Sequence, residues 1–230
     1  REKEEKHPYQ TTFAITTRQV GIMVMVHSDD RGLVIPPKLA PTKTVIVPIP
    51  ASGEEEEKIL EEARRISSEL EDCKVDDREN KTPGWKFNEW ELKGVPLRIE
   101  LGPREVKEGT ATLVRRDNLE KITVERGDIK EKVEETLDEI QRKLFEDAEK
   151  FLKENTRETR DYDEFKRILG EKGGFIKAPW CGKSVCEEEI KDETTAKITN
   201  IPFKYDKPEG EKCIKCGEEA ESWVNFAKSY

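Results

Sequence analysis

Two pairs of cysteines constrain this chain more than any other feature. Cys181 and Cys186 are separated by four residues, Cys213 and Cys216 by two, and 26 residues lie between the pairs. Short Cys–Cys spacings let one backbone knuckle offer two thiolates to a single tetrahedral ion, and a distant second knuckle completes the shell. Gly182 and Gly217 stand where knuckles need a permissive backbone. Four thiolates leave no open coordination position, so the spacing predicts a structural Zn2+ site at Cys181, Cys186, Cys213 and Cys216 rather than a catalytic one. A disulfide pair or buried free thiols are the alternatives. Cys73, between a helical and a strand pattern, reads as a small core residue. A redox role for Cys213-Ile214-Lys215-Cys216 would need a strand before it and a helix after it, and neither pattern is present.

Thiolate ligation suits a reducing compartment, so the expected location is cytoplasmic. No apolar run approaches the roughly 18–20 residues that span a bilayer, and the charged opening Arg1-Glu2-Lys3-Glu4-Glu5-Lys6 is unlike a signal peptide. That opening, without Met, reads as a piece whose start lies elsewhere. Charged residues make up 40% and hydrophobic ones 33%, the balance of a globular chain with a densely solvated surface. The net charge of −9 would repel phosphate at long range. Screening over about 8–10 Å still permits a local basic face, so total charge neither proves nor excludes an RNA partner.

Residues 13–30 read as strand and loop around the apolar run Gly21–Val26, and Pro36, Pro37 and Pro41 then mark a linker. The β-branched run Thr44-Val45-Ile46-Val47-Pro48 predicts a buried strand. Ile59, Ala63, Ile66 and Leu70 stand at helical spacing behind Glu54–Glu57, acids that favour a helix N-terminus. A second strand is expected at Lys74–Asp76, then a helical turn over Trp85–Lys93 closed by Gly84 and Gly94. Leu97, Ile99 and Leu101 alternate with Arg98 and Glu100, the pattern of a strand with one buried face. Further strands are expected near Ala111–Val114 and Lys121–Val124. The longest helix follows Ile129, Val133, Leu137, Ile140, Leu144, Ala148 and Phe151, and another covers Tyr162–Leu169, with irregular chain around the cysteines. Alternating strands and helices of this kind imply a mixed α/β sheet domain.

The stretch Pro83–Glu105 is dense in aromatic, basic and acidic groups. RNA readers stack unpaired bases on aromatics and hydrogen-bond their edges. The Watson–Crick edge of guanine offers N–H donors to a carboxylate, while its N7 and O6 accept from arginine. Glu and Arg around an aromatic therefore make a guanine reader, although a surface salt-bridge cluster beside buried tryptophans would leave the same trace.

This stretch closely resembles the anticodon-binding domain of prolyl-tRNA synthetases of the archaeal and eukaryotic type. Ile15-Thr16-Thr17-Arg18 resembles the end of class II motif 3, and Val26–Lys38 is similar to that family's exit from its catalytic domain. The cysteine pairs match its C-terminal zinc module, and Phe226-Ala227-Lys228-Ser229-Tyr230 looks like its tail. The resemblance implies three parts: the end of a class II catalytic domain over 1–41, a mixed-sheet α/β anticodon-binding domain over 42–154, and a small α+β zinc-binding domain over 155–230. It implies that Arg18 stacks on the adenine of ATP and Thr16 touches the nucleotide. It also implies that Phe87, Glu91, Arg98, Arg104 and Glu105 contact the two guanines shared by proline anticodons. His27 would border the proline pocket or serve as a structural histidine. The carboxylate of Tyr230 would fold back towards the active site, where an ordinary frayed terminus is the alternative.

The implied activity is proline–tRNA ligation, with ATP, Mg2+, proline and tRNA(Pro) as partners in a homodimer. Motifs 1 and 2 would lie upstream, so the chain alone is expected to be inactive. A stand-alone anticodon or RNA-binding module and a zinc-scaffolded protein-interaction domain are the competing expectations.

Overall fold

The computed structural model describes residues 8, 10–49, 51–205 and 207–228. Tyr230 lies outside the described residues. The chain divides into two compact units, Arg1–Glu146 and Asp147–Tyr230.

The first unit opens with helix α1 (Arg18–His27). Strand β1 (Thr44–Pro48), helix α2 (Glu54–Glu69), β2 (Cys73–Val75), α3 (Pro83–Leu92) and β3 (Leu97–Leu101) follow. Then come α4 (Pro103–Glu108), β4 (Thr110–Arg115), β5 (Lys121–Glu125) and the long α5 (Ile129–Glu154), within which the division falls. The sheet runs β2-β1-β3-β4-β5, parallel over the first three strands and antiparallel at β3–β4 and β4–β5.

Crossovers on opposite faces decide the burial. Ile59, Ala63 and Ile66 of α2 and Ile129 and Val133 of α5 cover one face, against Ile46, Leu97, Ile99 and Leu101. Helix α3 covers the other, where Phe87 and Trp90 pack on Val45, Val47 and Val95. Parallel strands covered on both sides read as continuous apolar runs, and β1 does so. Strand β3 does not, yet all five of its residues are buried. The expectation of one buried face is therefore corrected: Arg98 and Glu100 lie under α3, tolerable there because both are ion-paired.

Local signals set the helix starts. Thr82, not Gly84, caps α3: its hydroxyl accepts from the Trp85 N–H at 3.3 Å, and Pro83 occupies the first turn, where a missing N–H costs nothing. Residues 18–27, expected as strand and loop, are helix. Short apolar runs do not distinguish the two by periodicity, and a helix closes its own hydrogen bonds without a partner strand. No residue of α1 is buried, and Val20, Met25 and Val26 are exposed.

The second unit holds β6 (Thr156–Glu158), α6 (Tyr162–Glu171), β7 (Phe175–Trp180), α7 (Ser184–Thr194), β8 (Ala196–Asn200) and β9 (Ser222–Lys228). The sheet order is β6-β7-β9-β8, with β6–β7 parallel and the other pairs antiparallel. Phe165, Ile168 and Leu169 of α6 and Ile190 of α7 cover Ile176, Val224 and Phe226, with Phe165 and Phe226 edge to face at 5.2 Å. The irregular chain expected around the cysteines is found at Cys213 and Cys216, which lie in turns over 211–221, whereas Cys181 follows an ordered strand and Cys186 lies in a helix. Helix α7 gave no periodic signal because only Cys186 and Ile190 among its residues are buried. The mixed α/β class matches the expectation. Among the described residues no helix is long and apolar enough to cross a membrane.

Candidate functional sites

Phe87, Glu91 and Arg98 meet on the α3 face of the first sheet. Phe87 and Glu91 are one helical turn apart, and Arg98 rises beneath them from β3. The Arg98 guanidinium carbon sits 4.3 Å from the centre of the Phe87 ring. Its Nη1 donates to Glu91 Oε1 at 2.8 Å, and its Nε and Nη2 donate to Glu100 Oε1 at 3.1 and 2.9 Å. Lys121 Nζ completes the set at 3.0 Å from Glu100 Oε2. Two cations and two carboxylates balance one another, which makes burial bearable. Glu100 and Lys121 were not singled out in the sequence. The register was the available signal, since β3 and β5 both flank β4.

Glu91 is also held from the other side. Arg116, buried just beyond β4, donates from Nε to the Glu91 carbonyl oxygen at 2.8 Å, a cation at the C-terminus of α3. Its two terminal nitrogens grip Asp29 at 2.8 and 2.6 Å. Those hydrogen bonds, helped by the Arg31 N–H and opposed by burial, hold the Asp29 carboxyl at about 2. Asp29 and Gly32 close a tight turn with reciprocal backbone bonds of 3.1 Å, and Arg31 Nη1 in that turn lies 3.7 Å from Glu91 Oε2. Sequence separation hid this clamp: Arg116 and Asp29 are 87 residues apart.

A second buried carboxylate fixes the other flank of α3. Asp76 accepts from Arg78 Nε and Nη2 at 2.8 and 2.7 Å and from the Trp90 indole at 2.8 Å, while Lys86 Nζ donates to its carbonyl oxygen at 2.8 Å. Burial alone would raise the Asp76 carboxyl, yet the Arg78 and Trp90 hydrogen bonds and the Lys86 charge hold it at about 2.

Arg104 and Glu105 stand apart from this cluster, past the opposite end of β3 at the start of α4. Arg104 is 71% exposed, pairing with Glu105 at 3.3 Å and Glu108 at 3.9 Å. Glu105 Oε2 accepts from the Gly102 N–H at 3.1 Å, capping α4. A groove of about 810 Å3 beside them is lined by Lys58, Ile59, Arg104 and Lys107. Arg18 begins α1 and Thr16 precedes it, both exposed. The Arg18 position on a strand is thereby corrected to a helix start. His27 ends α1, half-buried, and desolvation lowers its pKa.

In the second unit the four cysteine sulfurs converge, all within 4.8 Å of one another. Cys181 follows β7 and Cys186 lies in the first turn of α7, their sulfurs 3.6 Å apart; Cys216 Sγ is 3.7 Å from that of Cys181. A disulfide would close to about 2.05 Å, so these are free thiols, while the edge of a tetrahedral Zn–thiolate set is about 3.8 Å. Gly182, at φ 78°, passes where any Cβ would meet the Glu221 carboxylate, and Gly217 turns at φ 72° after bonding back to the Cys213 carbonyl. Burial pushes the Cys181 and Cys186 thiols up. At Cys213 the backbone N–H groups of Cys216, Lys215 and Cys181 outweigh burial and pull the thiol down. Such a cluster could hold a metal ion.

Residues 43–136 match the family model for an anticodon binding domain, and residues 162–230 match the model described as prolyl-tRNA synthetase, C-terminal. The proline–tRNA ligase of Natranaerobius thermophilus is 46% identical over 232 residues, covering 99% of this chain and 47% of the relative. That of Alkaliphilus oremlandii is 45% identical over 233 residues, covering 100% and 48%. That of Pyrococcus horikoshii is 42% identical over 238 residues, covering 100% and 49%. The chain spans about half the length of the curated relatives it matches. An anticodon-binding domain match followed by a match to this C-terminal module, with 42–46% identity along the whole chain, makes the chain similar to prolyl-tRNA synthetases.

Proposed function

We propose that the protein carrying this chain is a proline–tRNA ligase, of cytoplasmic location and homodimeric. The reading rests above all on similarity that runs collinearly through the whole chain to proteins of that name. The proline carboxylate attacks the α-phosphate of ATP, pyrophosphate leaves, and a hydroxyl of the terminal tRNA ribose then takes the prolyl group as AMP leaves. Positioning and charge stabilisation supply most of the rate, with Mg2+ on the phosphates. In this reading residues 1–41 end the catalytic domain: Arg18 stacks on adenine, Thr16 touches the nucleotide, His27 borders the proline pocket and Tyr230 returns to it.

Residues 42–154 form the anticodon reader and 155–230 the metal module. Glu91 accepts from N1–H and the 2-amino group of one guanine. Arg98 has its Nε, Nη1 and Nη2 engaged and lies beneath Phe87, so it holds Glu91 in place rather than reaching past it. Exposed Arg104 serves the other guanine, with Glu105 tied to it. Cys181, Cys186, Cys213 and Cys216 hold Zn2+; the sulfur spacing and all-thiolate set fit that ion, which supplies a folding cross-link and no chemistry. Proline-dependent ATP–pyrophosphate exchange by the full protein is the deciding measurement. Absence of exchange sinks the ligase reading. Equal, undiminished binding by wild type and Glu91→Ala of tRNA with guanine or adenine at the last two anticodon positions sinks the reader.

A further inference from the structure

Glu91 in the structure has one oxygen committed to Arg98 and the other facing Arg31. The two arginines differ in kind. Arg98 is buried and triply bonded, whereas the Arg31 side chain is 60% exposed and 3.7 Å away, an ion pair that water screens. Arg31 also comes from outside the sheet, on the Asp29–Gly32 turn. Three features fix that turn against the end of α3. Arg116 grips Asp29 and the Glu91 carbonyl at once. The Leu33 N–H donates to the Leu92 carbonyl oxygen at 3.1 Å. Gly32 approaches Leu92 so closely that a Cβ there would lie 2.6 Å from its Cα.

We infer that Arg31 is a specificity-determining residue of the guanine site, donating to O6 of the base whose N1–H and 2-amino groups Glu91 accepts. The inference rests on the anticodon reading above. Guanine sets its O6 beside N1–H on one edge, so a carboxylate with a guanidinium at its flank matches acceptor to donor and donor to acceptor. Adenine carries an amino group in place of O6 and no N1–H. It would turn a donor towards Arg31 and leave Glu91 without one, and unpaired polar groups discriminate strongly. Asp29 and Arg116 are positioning residues: they set where the turn presents Arg31.

The test uses the full protein and tRNA(Pro) with guanine or adenine at the last two anticodon positions, titrated at several salt concentrations. Arg31→Ala should reduce the guanine-over-adenine preference about 10-fold, chiefly by weakening the guanine form, with the thermal midpoint unchanged. Equal weakening of both tRNAs with a shallower salt slope would make Arg31 a phosphate contact, and an unchanged preference would make it a mere counter-charge. Either result overturns the inference. Arg116→Lys keeps the charge but cannot reach Asp29 and the Glu91 carbonyl together. It should lose a similar part of the preference, with little further loss in the double variant. Additive losses would overturn the positioning role. A wild type indifferent to guanine would overturn the anticodon reading itself, whereas wild-type preference with an unaltered Arg31→Ala ratio removes Arg31 alone.

Discussion

The cluster around Arg98 and the cluster of four cysteines both bring buried polar side chains together, Arg98 and Glu100 in one and Cys186 and Cys213 in the other, and they balance charge in opposite ways. Around Arg98 the balance is internal: Glu91, Glu100 and Lys121 come from the same sheet and its covering helix. Among the cysteines four thiols converge with neighbouring backbone N–H groups as further partners, and in the zinc reading proposed above a cation supplies the rest of the balance. The first cluster can form as the sheet forms. On the proposed zinc reading, the second makes folding of its unit depend on something the chain does not encode.

That contrast can be broken most severely at the cysteines. Cys213→Ser, or a strong chelator on the wild type, should abolish Zn2+ binding and unfold the second unit, because apparent binding energies of about 10–16 kcal/mol are at stake. Metal content and hydrogen exchange in β7 and β9 would check it; full protection without metal would refute the dependence. Arg98→Met should cost about 3 kcal/mol, since it leaves buried Glu100 with only the exposed Lys121 as counter-charge, while Arg98→Met with Glu100→Leu should recover part of the loss. Urea unfolding midpoints decide between them, and equal losses would mean that pairing is not what stabilises the cluster.

A third, smaller effect separates the two kinds of balance by pH. The Asp76 carboxyl is held at about 2, below its ordinary range, so its contribution is fully present above about pH 4 and is lost as pH falls towards 2. The amount is about 2 kcal/mol. Wild type should therefore converge on Asp76→Asn in stability between pH 5 and pH 2, and parallel curves would exclude the depressed carboxyl. Smallest of all should be Cys73→Ala, within about 1 kcal/mol and with unchanged metal content, because Cys73 only packs at the edge of the first core.

How much of this was legible in the sequence depended on distance along the chain. The cysteine quartet was readable because a knuckle is a local object, written in gaps of four and two residues. Helix α2 and the long α5 were readable because burial on a single face imprints a period, and strand β1 because burial on both faces leaves an unbroken β-branched run. What escaped was set by topology. Alternation made Arg98 and Glu100 look solvated, and only the crossover that lays α3 on that face buries them. The Arg116 clamp joins residues 87 apart, and a lone arginine beyond a strand carries no local signal. Helix α1 was misread because its apolar run is short and none of its residues is buried, so no single face imprints a period.

The close approach of Gly32 and Gly94 bears on where this protein can be cut. A Cβ on Gly94 would lie 2.6 Å from the Leu33 backbone, so residues 32–35 are laid against the α3–β3 connection as if part of the sheet's own wall. An engineer seeking a minimal anticodon module would be tempted to begin it after the prolines, at residue 42. Such an excision would remove the Asp29 carboxylate, leave the Arg116 guanidinium buried without its counter-ion, and uncover the last turn of α3. A module beginning at residue 28 keeps all three. Modularity in this chain is therefore defined by one salt bridge and two glycines rather than by its linker.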